Sequence, residues 1–139
     1  MKAIKVAWPD GLAESVVLYQ RFILDLLIEG GVDYSGFIHN PLKIVSGNAE
    51  SASDEKYREE AVLWWWKYID DNGYVRDLQS EMSIRARFAI ELLTAVPKSI
   101  EDFYELRERF SWVLQLSGKL GVPDDLLAEI VARHFKVSG

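Results

Sequence analysis

The sequence predicts a mainly α fold, a single-domain bundle of about five helices, and three observations lead to that prediction. Apolar residues recur at helical spacing in long segments, and glycine or proline separates these segments. The chain has 139 residues, which is enough for one domain with its own core. Hydrophobic residues make up 49% and charged residues 27%, as is typical of a globular chain. We therefore expect residues 1–139 to form one helical domain.

The first predicted element is a short N-terminal strand, because apolar residues alternate weakly between Lys2 and Trp8. The first helix is predicted from Leu12 to Glu29. It ends at Gly30-Gly31, since glycine commonly follows the last turn of a helix. Apolar stripes cover most of its circumference, so this helix is expected to be buried on more than one side.

The segment from Val32 to Ser53 lacks helical periodicity and is predicted to be an irregular loop. Asn40-Pro41 indicates a turn, while Phe37-Ile38 and Leu42 to Val45 are each long enough only for a very short strand. Long irregular loops in compact domains are often functional. Its apolar residues Phe37, Ile38, Leu42 and Ile44 somewhat favour the alternative, a packed connector that fills part of the core.

The central helix contains three consecutive tryptophans and is predicted to run from a cap at Ser51 or Ser53 to Asn72-Gly73. Its apolar arc covers roughly half the circumference, which is wider than the arc of a simple surface helix. One side is expected to face the core. The other side needs another helix, a ligand or a second chain. We expect the first and central helices together to form the buried core.

Helical geometry separates the three tryptophans, because successive residues are about 100° apart. Trp64 and Trp65 fall on one stripe, which predicts core positions, whereas Trp66 points almost opposite to Trp64. Semi-exposed tryptophan is enriched at interfaces. The predicted interaction residues are Val62, Trp66 and Ile69. The predicted ligand-binding residues are Trp64, Trp65, Tyr68 and, from the loop, His39.

Three further helices are predicted in the second half of the chain. Ser80 to Val96 alternates as a strand would, but its length and composition favour a helix that Pro97 ends. Ser99 to Ser117 is predicted to be the next helix, with Ser99-x-x-Asp102 as its capping pattern. The last helix is predicted to begin near Pro123 and to run to about Phe135.

The segment from Ser111 to Phe135 looks like a helix-turn-helix. A small residue, Ser117, lies four before the turn glycine Gly121, which lets two helices cross closely. The second helix would present an acidic surface formed by Asp124, Asp125 and Glu129. A phosphate backbone requires cations at such a surface. The pattern therefore predicts a packing unit and disfavours nucleic acid as a partner.

The overall charge and the absence of cysteine narrow the classes of function. A net charge of −6 and a pI near 4.9 disfavour phosphate backbones and suit a basic partner protein. Without cysteine there is no disulfide, no thiolate nucleophile and no Cys-based zinc site, which fits a cytoplasmic protein. Charged residues interrupt the longest apolar segment, Val16 to Ile28, so no membrane span is predicted.

The residues that could carry chemistry form no recognisable catalytic or metal motif. Neither His39 nor His134 has a second ligand at metal spacing. Glu105-x-x-Glu108 is a single carboxylate pair on a charged face, which favours a solvated surface over a metal site. No nucleophile-elbow or phosphate-loop pattern occurs. No cofactor, metal or catalytic residue is therefore predicted, and the sequence leans away from an enzyme.

Three functional hypotheses follow from these patterns. The first is a non-enzymatic protein-interaction module that binds another protein or itself, as a homodimer, through an aromatic helix face. The second is a small-ligand binder with an aromatic-lined pocket between helices. The third, which the acidic surface disfavours, is a helix-turn-helix DNA-binding protein.

Overall fold

The computed structural model describes residues 4–46 and 55–137. Within these ranges the chain forms six α-helices and one small antiparallel sheet. The helices are α1 (Leu12–Glu29), α2 (Pro41–Val45), α3 (Glu55–Asp71), α4 (Glu81–Thr94), α5 (Phe103–Leu116) and α6 (Asp124–His134). The strands are β1 (Val6–Ala7) and β2 (Lys136–Val137). This architecture confirms the predicted mainly α fold, with one short helix more than expected.

Helix α1 has the predicted bounds, and its main apolar stripe is buried in the core. It ends because Gly31 adopts a φ of +70°, after which Val32 donates its N–H back to Leu27 O at 3.0 Å. A Cβ at Gly30 would lie 2.8 Å from a methyl carbon of Val122, so glycine also permits close packing against the segment before α6. Helix α6 in turn packs along α1.

Helix α2 corrects the prediction of an irregular loop between Val32 and Ser53. Leu42 to Val45, predicted as a very short strand, is helical, and Phe37-Ile38 does not form a strand. Asn40 caps this helix by accepting N–H groups from Leu42 and Lys43 at 3.0 and 3.4 Å. Asparagine at the cap followed by proline in the first turn is typical of a helix start, so the turn predicted at Asn40-Pro41 is the first turn of α2. Residues 47–53 of the loop, with the predicted caps, lie outside the described residues.

Helix α4 contributes more buried residues to the core than the central helix α3 does. Eight of its residues are buried, because α1, α2 and α3 all pack around it. Its alternating pattern reflects this burial on several sides and not a strand. Helix α3 has only three fully buried residues, Ala61, Trp65 and Ile69. Helix α3 thus supplies part of the core, as expected, through Trp65 and its two buried neighbours, but its outer side is not covered.

The C-terminal third begins with a correction at the start of α5. Asp102, not Ser99, is its cap and accepts the N–H of Glu105 at 2.8 Å. Pro97–Ser99 forms a separate 3₁₀ turn. A second 3₁₀ turn, Ser117–Leu120, links α5 to α6, and Gly121 follows with a φ of +85°. Helix α6 therefore leaves α5 through a tight turn and packs mainly on α1.

The small sheet joins the two ends of the described chain. Val6 pairs with Val137 and Ala7 pairs with Lys136. The predicted N-terminal strand is thus present over two residues. Beside it, the Trp8 ring packs edge-on against Phe110 and Phe135, with centroids 5.3 and 5.0 Å away.

Candidate functional site

The three tryptophans of α3 occupy three different environments. Trp65 is fully buried, Trp64 is half-buried, and Trp66 retains 47% of its maximal exposure. This arrangement agrees with the directions expected from 100° per residue. Trp66 is therefore the tryptophan of α3 that is available at the surface.

The predicted ligand residues come together in an aromatic cluster that fixes the loop before α2 onto α3. Trp65 Nε1 donates to the His39 carbonyl oxygen at 2.9 Å. The rings of Trp64 and Tyr68 stack at 5.7 Å, and the His39 ring lies 5.4 Å from Trp64. The cluster is completed by Tyr34, Phe37 and Tyr57.

The aromatic cluster is a packed set of rings. Phe37 lies 4.9 Å from Trp65, and Tyr34 meets the same indole edge-on at 5.7 Å. These distances are those of direct ring contact, which excludes a bound molecule between the rings. The buried Nδ1 of His39 has no hydrogen-bond partner among the described residues. Within the described part of the cluster it is the only buried side-chain nitrogen or oxygen without such a partner.

The opposite side of α3 carries an exposed ridge, which we call the outer ridge: Glu59, Leu63, Trp66 and Asp70. Leu63 is 68% exposed, and it lies one turn before Trp66. Positions spaced by four, three and four residues fall within an arc of about 60°. Apolar side chains thus occupy the middle of the ridge, and a carboxylate lies at each end.

Leu63 is a functional candidate that sequence reasoning missed. Its spacing of three residues from Trp66 was the available signal, because i and i+3 lie on the same helix face. The predicted interaction residues are distributed differently. Val62 is half-buried, and Ile69 is only 1% exposed. The exposed apolar pair is therefore Leu63 and Trp66, with Val62 and Ile69 on the inner flank of the helix.

An apolar groove of about 630 Å³ lies on one side of the outer ridge, between α3 and the end of α4. We call it the α3–α4 groove. Its apolar lining consists of Val62, Leu63, Leu93, Val96 and Pro97. An ion pair between Glu55 and Lys98 joins its two walls. The volume is in the range of sites that take small molecules or a partner's side chains.

On the other side of the outer ridge, Trp66 borders two smaller grooves. One, of about 340 Å³, separates Trp66 from Trp112 of α5, with Ile90 of α4 between them. The other, of about 430 Å³, is bordered by Ile69 and the exposed Val75. Trp66 therefore stands between concave surfaces, and the apolar surface extends beyond the ridge.

The lysine and arginine side chains around the outer ridge form contacts within the molecule. Lys67 pairs with Asp71 at 2.8 Å, and Lys98 pairs with Glu55. Arg87 donates to two backbone carbonyl oxygens, at 3.1 and 2.6 Å, in the segment after α3. The Nε of Arg109 donates to Glu91 at 2.6 Å. Lys67, Lys98 and Arg109 are thus paired with carboxylates, whereas Arg87 keeps its charge beside Trp66.

Three carboxylates near the same surface lack a direct ion pair, although Lys98 and Lys67 act electrostatically on two of them, Glu59 and Asp70. Among the residues that the structure describes, Glu59, Asp70 and Glu108 form no ion pair within 4 Å. All three are exposed. Glu59 borders the α3–α4 groove, and Glu108 borders the groove between the tryptophans. The surface around Leu63 and Trp66 is therefore apolar at its centre, and charged residues of both signs line the grooves at its edges.

A half-buried polar network beneath this surface connects three helices. Tyr19 of α1 donates to Glu91 of α4 at 2.6 Å, and Arg109 of α5 pairs with the same carboxylate. Burial raises the pKa of the Tyr19 hydroxyl well above its usual value, Glu91 raises it further, and Arg109 offsets part of the rise. Tyr19 therefore stays protonated at neutral pH. The network joins α1, α4 and α5 through one shared carboxylate.

Other predicted sites have a simpler outcome. Asp124, Asp125 and Glu129 are exposed on α6, where their charge repels a phosphate backbone. Among the described residues, no group of three or more His, Asp or Glu side chains is arranged to hold a metal ion. None of the helices in the described ranges combines the length and apolar character needed to cross a membrane.

Comparison of the chain with protein-family models, with curated proteins and with solved structures finds no match. The outer ridge and its grooves, defined from this chain's own residues, are therefore the basis for the functional argument.

Proposed function

We propose that this chain is a protein-interaction module that binds a partner protein through the outer ridge of α3. The observation that carries the proposal is the exposure of Leu63 and Trp66 side by side on a helix whose opposite face is packed. Burying a large apolar side chain stabilises a complex by about 1.5–3 kcal/mol. Tryptophan is also among the residues that most often dominate binding energy at interfaces.

The surroundings of the ridge support the same proposal. The α3–α4 groove on one side and the groove toward Trp112 on the other can receive apolar side chains of a partner. Well-packed central pockets surrounded by polar residues are typical of protein interfaces. The neighbouring polar network holds α1, α4 and α5 together, so the surface is supported by a rigid base.

Site-directed variants test this proposal directly. Trp66→Ala should weaken binding of an amphipathic helical peptide by about thirtyfold, if Trp66 contributes about 2 kcal/mol as a central interface residue. Tyr104→Ala is the matched control, because Tyr104 is an aromatic residue that is exposed on α5. Binding is measured by titration calorimetry, and circular dichroism verifies the fold. Equal affinity of the Trp66 and Tyr104 variants would contradict the proposal.

A second candidate function is the binding of an apolar small molecule in the α3–α4 groove. Its volume of about 630 Å³ and its aliphatic lining favour this reading. The aromatic cluster, predicted for this role, is packed against itself. Val62→Trp should fill the groove and abolish any thermal stabilisation by apolar compounds. A screen in which the parent chain shows no stabilisation would remove this candidate.

A further inference from the structure

We draw no further inference here: the strongest candidate, the exposed apolar face of α3 with the grooves beside Leu63 and Trp66, carries nothing more, because charged residues of both signs line those grooves and nothing among the described residues shows what covers the face.

Discussion

Helices α3 and α4 lie side by side, yet α4 buries most of its apolar residues, whereas α3 leaves some of its apolar residues exposed. Eight residues of α4 are buried, including Phe88 and Leu92, because three helices surround it. Helix α3 packs on α4 with one side and leaves Leu63 and Trp66 at the surface. The apolar residues of α4 therefore stabilise the fold, whereas the outer ones of α3 contribute little to it. An apolar face that the fold does not use is available for binding.

The largest expected difference between the two helices is in stability. Phe88→Ala in α4 should lower the free energy of unfolding by about 3–5 kcal/mol, because it removes buried surface and leaves a cavity. Leu63→Ala in α3 should change it by less than about 0.5 kcal/mol, since Leu63 is mostly exposed. Urea denaturation monitored by circular dichroism measures both. Similar losses for the two variants would contradict the contrast.

Two neighbouring tryptophans within α3 sharpen the comparison. Trp65→Phe should cost about 2 kcal/mol, because it loses the hydrogen bond to the His39 carbonyl and part of a packed core. Trp66→Phe should leave the unfolding midpoint nearly unchanged. Thermal unfolding followed by circular dichroism provides the measurement. A larger shift for Trp66→Phe would mean that Trp66 supports the fold.

Alkaline titration probes the network that ties α4 to its neighbours. The raised pKa of Tyr19 means that the folded state keeps a proton that the unfolded state loses. The contribution of this proton to the free energy of unfolding is thus complete below about pH 10, and it decreases as the pH rises further. Tyr19→Phe should reduce the alkaline slope of stability by about 1.4 kcal/mol per pH unit. Tyr104→Phe, on the exposed face of α5, is the control. An equal change in the alkaline slope for this variant would refute burial of Tyr19 as the cause of the slope.

The smallest effect is expected where α3 meets the turn after α4. Lys98 and Glu55 form an ion pair, but both side chains are well exposed. Exposed ion pairs contribute little to stability, so Lys98→Ala should shift the denaturation midpoint by no more than the experimental error. A clear loss of stability in a urea titration would show that this contact holds the end of α3 in place.

Local sequence signals predicted much of this architecture. Gly30-Gly31 marked the end of α1, and helical spacing separated Trp66 from Trp64 and Trp65. The same signals were insufficient for α2, because Asn40-Pro41 suits both a turn and a helix start. The cap of α5 was expected at Ser99, but Pro97–Ser99 forms its own 3₁₀ turn and Asp102 caps the helix.

The sequence predicted which side of α3 carries the candidate site, but it did not predict all of the residues that form it. Periodicity placed Trp66 away from the core, and the aromatic cluster also brings together the residues predicted for ligand binding. Leu63 was missed, and Ile69 proved to be buried. A helical wheel shows which residues share a face, whereas burial also depends on the segments that pass over that face.

By itself, the sequence determined the helical class, the limits of α1 and the opposite directions of the tryptophans, because these depend on local geometry and turn chemistry. The tertiary structure alone decided that α4 lies in the core and that α3 keeps an open outer ridge. Both helices carry broad apolar arcs, so each sequence predicts that two sides of the helix are covered but does not identify the segments that cover them. The neighbours that pack on α4 supply that cover, and the ridge around Leu63 and Trp66 has none among the described residues.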